Sequence, residues 1–338
     1  MTEENRKIGE QIWPEIQKST NVLLHLHPTP DGDSIGSALA TMHMLKGLGK
    51  KVTLIAGDSE LPKAFYYLPG AGEIQLKNYS EVDTAPFDLF LILDSASKDR
   101  VSRLNAVEFP STMRTVVIDH HGTNPKFGDI NLVDPSYPAT AQILYELFEL
   151  WGVTVTKHIA LTLFLGMFTD TGGFRFKGTT PQTLLYASKL AAIAPEYNEM
   201  LSKMENTLEP ENLKFLSIAY STLEHYFNNK VVLAPISFEM LKENHIEKRH
   251  TERMELANTL CMVEGWEVSI SFIETEKDRV SVSLRTQKGE EYDLSKLAVA
   301  LGGGGHRMAA GAVISKPFEE AKKFLLETIP QVYPELGK

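Results

Sequence analysis

The sequence predicts an α/β protein, with a doubly wound, mostly parallel sheet in its N-terminal part and a smaller α/β domain behind it. Three observations lead there. Val22–His27, Leu89–Leu93 and Thr115–Ile118 are short, nearly continuous apolar runs, the pattern of strands buried on both faces of a parallel sheet. Helical periodicity fills the stretches between and after them, and strand–helix alternation implies a parallel sheet with crossover helices. After about residue 185 the pattern changes to alternating strands and a hairpin. A chain of 338 residues fits two domains. Its 43% hydrophobic and 23% charged content is that of an ordinary globular protein able to bury a core in each half.

The elements follow in chain order. After the first strand, Ser34 is placed to cap a helix with apolar positions at Ile35, Leu39, Met42, Leu45 and Leu48, and Gly49 to stop it. Val52–Ala56 reads as the next strand, and Thr140–Leu150 and Ile159–Phe168 as further helices. The mostly helical stretch between Ala191 and Pro210 reads as a connector, so the predicted boundaries are 1–190, a linker over 191–228, and 229–338. In the last segment Val231–Ser237 reads as a strand. Glu267–Glu274 and Arg279–Arg285 alternate apolar and polar residues around a turn at Thr275–Asp278. A Gly-rich loop at Gly302–Gly305 precedes an amphipathic helix from about Phe318.

Bulk properties exclude some functions. A net charge of −10 argues against a broad basic surface that coats long duplex nucleic acid. It leaves room for small phosphorylated ligands, because bound metal ions bring their own positive charge. Cys261 is the single cysteine, so no intrachain disulfide forms, which fits a reducing, cytoplasmic setting. The apolar run Ile159–Phe168 is far short of the ~20 residues that cross a bilayer, and no membrane partner is expected.

The chemistry sits where the apolar runs end. The first runs into His27-x-x-Pro30-Asp31-Gly32-Asp33, the second into Asp94, the third into Asp119-His120-His121. In open α/β sheets, ligands collect beyond the carboxyl ends of the strands. One Asp there is most simply a turn or helix cap. Three acidic clusters on three buried strands cost several kcal/mol per buried charge unless a metal or partner neutralises them. Carboxylate and imidazole together suit divalent cations such as Mn²⁺ and Mg²⁺. Asp170, at the end of an apolar helix in Thr169-Asp170-Thr171-Gly172-Gly173, adds another carboxylate.

In order and spread, His27-x-x-Pro30-Asp31-Gly32-Asp33, Asp94-Ser95-Ala96-Ser97, Asp119-His120-His121 and Thr169-Asp170-Thr171-Gly172 resemble the motifs of the DHH phosphoesterase superfamily. The resemblance implies a binuclear site. His27, Asp31 and Asp94 would hold one ion, and Asp33, Asp94, His120 and Asp170 the other, with Asp94 bridging. Catalytic roles fall to Asp94, to His121 facing the substrate phosphate, and to Asp119 orienting a histidine. The implied cofactors are two divalent ions, Mn²⁺ first, with Mg²⁺ or Co²⁺ as alternatives. Such a pair of ions would supply an activated water for in-line attack on phosphorus. No protein nucleophile is needed, and Cys261 is far in sequence from the motifs.

Gly302–Gly305, followed by His306 and Arg307, is similar to the Gly-Gly-Gly-His signature of the first type of DHH-associated C-terminal domain. Consecutive glycines allow close approach of backbone N–H groups to an anion. Arg285, Gly304, Gly305 and His306, with His121, are therefore the substrate-binding candidates, gripping a short nucleotide in a cleft between the domains. The compact length resembles the nano-RNase and 3′-phosphoadenosine-5′-phosphate phosphatase group, which implies hydrolysis of nano-RNA of two to five nucleotides, pApA or pAp. Alternatives sharing the site are a cyclic-dinucleotide phosphodiesterase and, ranked lower, an exopolyphosphatase or pyrophosphatase. A nucleotide-binding sensor is the non-enzyme alternative, but a dead site would lack a ligand and here each expected position is filled. Homodimerisation is compatible with the sequence.

Overall fold

In the computed structural model, which describes every residue except 60, 207, 253, 337 and 338, the apolar runs form the centre of one sheet. β1 (Asn21–Leu26), β2 (Lys51–Ala56), β3 (Leu89–Leu93), β4 (Arg114–Asp119) and β5 (Ile130–Val133) pair in the order β2-β1-β3-β4-β5, all parallel. Successive strand residues point to opposite faces. Val22, Leu24, Leu91 and Val116 join the core on one face, and Leu23, Phe90, Ile92 and Val117 the core on the other.

The long helices supply the first of these cores: α1 (Glu3–Lys18), α2 (Gly32–Gly47), α3 (Thr140–Leu150), α4 (Lys157–Asp170), α5 (Pro181–Ile193) and α6 (Tyr197–Glu205). The other face is covered by short 3₁₀ turns and loops between β2 and β4, centred on stacked Tyr79 and Phe90 with Phe109 at their edges. Pro62, Pro69, Pro86 and Pro110 interrupt that stretch, and each removes a backbone donor a helix would need.

Details differ from the sequence expectation. α1 and β5 were outside the predicted set: α1 is amphipathic but mostly polar, burying only Asn5, Gly9, Ile12 and Ile16, and β5 is four residues long, so neither stands out as an apolar run. Ser34 lies inside α2 rather than capping it. The cap is Asp31, whose Oδ1 accepts from the N–H groups of Asp33 (3.1 Å) and Ser34 (3.0 Å), three residues earlier than expected. Gly49 adopts φ 77° just beyond the helix, where a left-handed residue ends it.

The chain divides into two compact units, Met1–Thr207 and Leu208–Lys338, a division inside the stretch predicted as a connector. The second unit begins with α7 (Pro210–Ser221). A mixed six-stranded sheet follows, in the order β10-β11-β9-β8-β7-β6, built from β6 (Glu224–Tyr226), β7 (Val231–Ile236), β8 (Val268–Glu276), β9 (Arg279–Arg285), β10 (Gly304–Gly305) and β11 (Ala309–Ile314). α11 (Leu294–Ala300) and α12 (Phe318–Val332) pack on one face. α7, α8 (Phe238–Glu243) and α10 (Leu256–Leu260) pack on the other, with the short α9 (Lys248–Glu252) between the last two in the chain.

The β8–β9 turn is tighter than predicted, since β8 runs on through Glu276 and only Lys277 and Asp278 remain, Asp278 at φ 60°. The Gly-rich loop is partly sheet. Gly304 and Gly305 pair with Gly311 and Ala310, and a Cβ on Gly303 would overlap the Gly311 carbonyl oxygen. These glycines therefore serve close strand approach as well as any ligand. Among the described residues, no helix is long and apolar enough to cross a membrane.

Candidate metal centre

Chain order reverses at β1: β2 lies on one side of it and β3 on the other. That makes the carboxyl ends of β1 and β3 the topological switch point, where a crevice opens in an α/β sheet. His27–Asp33 follow β1, Asp94 follows β3, and Asp119 ends β4. α2 starts from this edge and α4 ends at it, so Asp33 near the start of α2 and Asp170 at the end of α4 meet.

The side chains converge in three overlapping groups whose ligand atoms lie within 4.8 Å of one another: His27 with Asp31 and Asp94; Asp33 with His120 and Asp170; Asp94 with His120 and His121. Asp94 is common to the first and third, with Oδ2 3.5 Å from His27 Nε2 and Oδ1 3.5 Å from His120 Nε2. Asp94 stands at φ 51°, a left-handed backbone that aspartate tolerates better than most residues.

The histidines bear directly on whether a cation fits. Nδ1 of His27 faces the Pro28 carbonyl at 3.1 Å, and Nδ1 of His120 the Tyr137 carbonyl at 3.3 Å. Each carbonyl takes an Nδ1–H and leaves Nε2 as the ligand atom, the usual way a protein orients an imidazole toward a metal. Both Nε2 atoms are buried and without a hydrogen-bond partner among the described residues. A fourth group, Glu209, Glu211 and His250 in the second unit, is different: there Nδ1 of His250 accepts from Glu247 N–H at 3.0 Å and Nε2 meets Glu209 at 3.1 Å.

Electrostatics agree with the geometry. Burial disfavours a charge on His27, but Asp31 and Asp94 outweigh it and push its pKa up to about 10. Against the same opposition, Asp170, Asp33 and Asp94 push His120 up to about 10. Burial, then the Asp94 and Asp170 charges, lifts Asp33 well above the carboxylate range, and burial lifts Asp170 despite its contact with His120. Without a cation, protons are the counter-charge of this cluster. Carboxylate and imidazole donors, two buried Nε2 atoms facing carboxylates without a hydrogen bond among the described residues, and mutually repelling acids together fit a divalent ion.

Of the remaining candidates, His121 is partly exposed, and its Nδ1–H donates to Asp119 Oδ1 at 2.7 Å. Asp119 raises the His121 pKa and is itself held low by that contact against burial. In the second unit, Arg285 is half-buried, its Nε donating to Asn258 Oδ1 and one terminal nitrogen to the Leu284 carbonyl. It lines a cavity of about 290 Å³ with Asn258, Ser283, Ser271 and Lys248. Gly304, Gly305 and His306 are exposed.

Several supporting residues escaped the sequence reading. Asn124 donates to Asp119 Oδ2 (2.7 Å) and to the Ser95 carbonyl (3.0 Å), tying the β3 and β4 ends together. His25, fully buried against Phe90, lies 3.4 Å from Ser95 Oγ, and burial followed by the charge of His27 lowers its pKa to about 3. Thr140 and Ala141 donate their N–H groups to Asp33 at 2.6 and 2.9 Å. One clue was present: Ala139 precedes α3 and has no side chain to cap it, so those N–H groups needed an acceptor from elsewhere.

α2 and α4 approach through glycine. A Cβ on Gly166 would lie 2.6 Å from Asp33 Oδ1 and 2.6 Å from the Ala141 side chain. Alanine gains about 1 kcal/mol in helix propensity, but overpacking costs about 1–3 kcal/mol. Gly166→Ala is expected to lower the melting temperature, measured by circular dichroism. An increase would show that Asp33 and α3 give way freely.

Comparison with known proteins agrees with this architecture. Residues 21–167 match the DHH family, N-terminal domain, and residues 240–334 match the DHHA1 domain. The bifunctional oligoribonuclease and PAP phosphatase NrnA of Thermus thermophilus is 33% identical over 332 residues, covering 97% of this chain and 95% of that protein. The Bacillus subtilis protein of the same name is 28% identical over 319 residues, covering 91% and 94%. The crystal structure of an exopolyphosphatase-related protein from Bacteroides fragilis has the same fold, with a TM-score of 0.89 at 22% identity and 98% of each chain covered. With its motifs at the carboxyl ends of a parallel sheet and a DHHA1 domain later in the sequence, this chain belongs to the DHH family of metal-dependent phosphoesterases.

Proposed function

We propose that this chain is a cytoplasmic hydrolase of phosphoester bonds in short nucleotides: RNA of two to five nucleotides, pApA and 3′-phosphoadenosine 5′-phosphate. The observation that carries the proposal is the pair of buried imidazole Nε2 atoms, each facing two carboxylates without a hydrogen bond among the described residues and set around one shared carboxylate, Asp94. The relatives named for oligoribonuclease and PAP phosphatase activity, similar along nearly their whole length, support the substrate class.

His27, Asp31 and Asp94 would hold one divalent ion, and Asp33, Asp94, His120 and Asp170 a second, Mn²⁺ being the ion favoured. Bound there, such ions lower the pKa of water toward ~7 and neutralise charge on a phosphoryl group. The chain's own residues do the rest. Asp119 fixes His121 through Nδ1, leaving Nε2 available to donate to a phosphate oxygen. Asn124 keeps Asp119 from rotating away. In the second unit, the Arg285 guanidinium and the His306 imidazole supply donors for further phosphate or ribose oxygens.

A panel assay in Mn²⁺ tests the proposal: pAp, pApA, RNA of two to ten nucleotides, cyclic di-AMP and pyrophosphate, compared by kcat/KM. The short linear nucleotides are expected to lead; preference for pyrophosphate or the cyclic dinucleotide would overturn the substrate assignment. Arg285→Ala and His306→Ala are each expected to raise KM for pApA about tenfold with little change in kcat, the loss of one charge-assisted contact. Unchanged KM in both would remove the second unit from substrate binding.

A further inference from the structure

We propose that Thr140 is a positioning residue that sets how Asp94 is shared between the two halves of the cluster. The proposal rests on reading that cluster as a divalent-cation site. Thr140 is fully buried at the first position of α3. Its hydroxyl donates to Asp94 Oδ1 at 3.0 Å, the one hydrogen bond to that carboxylate among the described residues. Its backbone N–H donates to Asp33 Oδ2 at 2.6 Å. One residue therefore holds a carboxylate from the His27 group and a carboxylate from the His120 group at once.

The need for such a clamp follows from torsional freedom. The final torsion of an aspartate is soft and nearly two-fold, so nothing intrinsic decides which oxygen faces which partner. Bridging requires Oδ2 on the His27 side and Oδ1 on the His120 side, the arrangement observed. A hydroxyl fixed on Oδ1 blocks rotation and occupies one lone pair, leaving the others for cations. The hydroxyl is itself fixed because Thr140 begins a helix whose first N–H groups are anchored on Asp33.

Thr140→Val isolates the hydroxyl, since it keeps the backbone N–H to Asp33, the β-branch and the volume. Mn²⁺ binding to metal-stripped protein, measured by titration calorimetry without substrate, is the readout. Thr140→Val is expected to weaken Mn²⁺ affinity about tenfold, the low end for loss of a group that orients a ligand. Thr140→Ser, which restores the hydroxyl, is expected to bind close to wild type. In an Asp94→Ala background, Thr140→Val is expected to have no further effect, because its partner is gone.

Wild-type affinity in Thr140→Val would overturn the proposal while leaving the cation site standing, as would a loss in Thr140→Ser equal to that in Thr140→Val. Absence of Mn²⁺ binding by the wild-type protein would overturn the cation-site reading and this proposal together. Melting curves accompany each variant. If Thr140→Val does not fold, Thr140→Ala removes the same hydroxyl without adding a methyl and is judged by the same outcomes.

Discussion

Asp94→Ala is expected to abolish hydrolysis, lowering kcat by about 10³-fold or more while the fold survives. The expectation follows from position. Asp94 is the carboxylate that both His27 and His120 approach, through different oxygens. On the proposed two-ion reading, removing it would take a ligand from each group in one step and leave nothing to hold two cations at a common distance. The charge stabilisation cations give a transferring phosphoryl group is worth several kcal/mol, and about 4 kcal/mol corresponds to a thousandfold in rate. The fold should tolerate the change: among the described residues the carboxylate accepts one hydrogen bond, from Thr140, and its loss relieves like-charge crowding around Asp33 and Asp170. Steady-state hydrolysis of pApA at saturating Mn²⁺, with a thermal melt of the same preparation, checks both halves. Turnover within tenfold of wild type would sink the shared-carboxylate site.

Asp33→Ala is expected to be as damaging to hydrolysis, and destabilising as well. Its two oxygens accept from the N–H groups of Thr140 and Ala141 and from the Ser37 hydroxyl. Truncation leaves the two backbone donors at the start of α3 buried and unpaired, at about 1–3 kcal/mol each. Removing an acid that sits uncomfortably beside Asp94 and Asp170 offsets part of that cost. A net loss of about 1–3 kcal/mol, a few degrees in melting temperature, is the result. The contrast with Asp94→Ala is the point: two acids of one cluster, one chiefly chemical and one also a helix cap. Equal melting temperatures for the two variants in metal-free buffer would show that α3 finds another acceptor.

Much of this is legible in the amino-acid sequence alone. The central strands showed as unbroken apolar runs because both faces of a parallel sheet are buried, and the acidic and histidine residues at their ends marked the edge where ligands gather. His27, Asp31, Asp33, Asp94, His120, His121 and Asp170 could be named from sequence, and the fold brings them within reach of one another. A mostly polar composition hid α1, and shortness hid β5. Only a view of where Asp31 aims its carboxylate moved the cap of α2 from Ser34 to Asp31. The glycines at 302–305 read as an anion-binding loop, and the sheet register added a second reason for them in the close pairing of β10 with β11.

What the sequence determined by itself was identity and order: which acidic and histidine side chains gather at one edge of the sheet, and which strand or helix end each one lies at. That information is local, because strand length, apolar runs and turn residues are written in neighbouring positions. The tertiary structure decided how those side chains are held. Thr140 reaches Asp94 across 46 positions and Asp33 across 107, and Ala141 reaches Asp33 across 108. Hydrogen bonds between residues so far apart leave no periodic trace in the chain. They exist because folding buries donors that must find an acceptor, and the nearest acceptors were the carboxylates of the site.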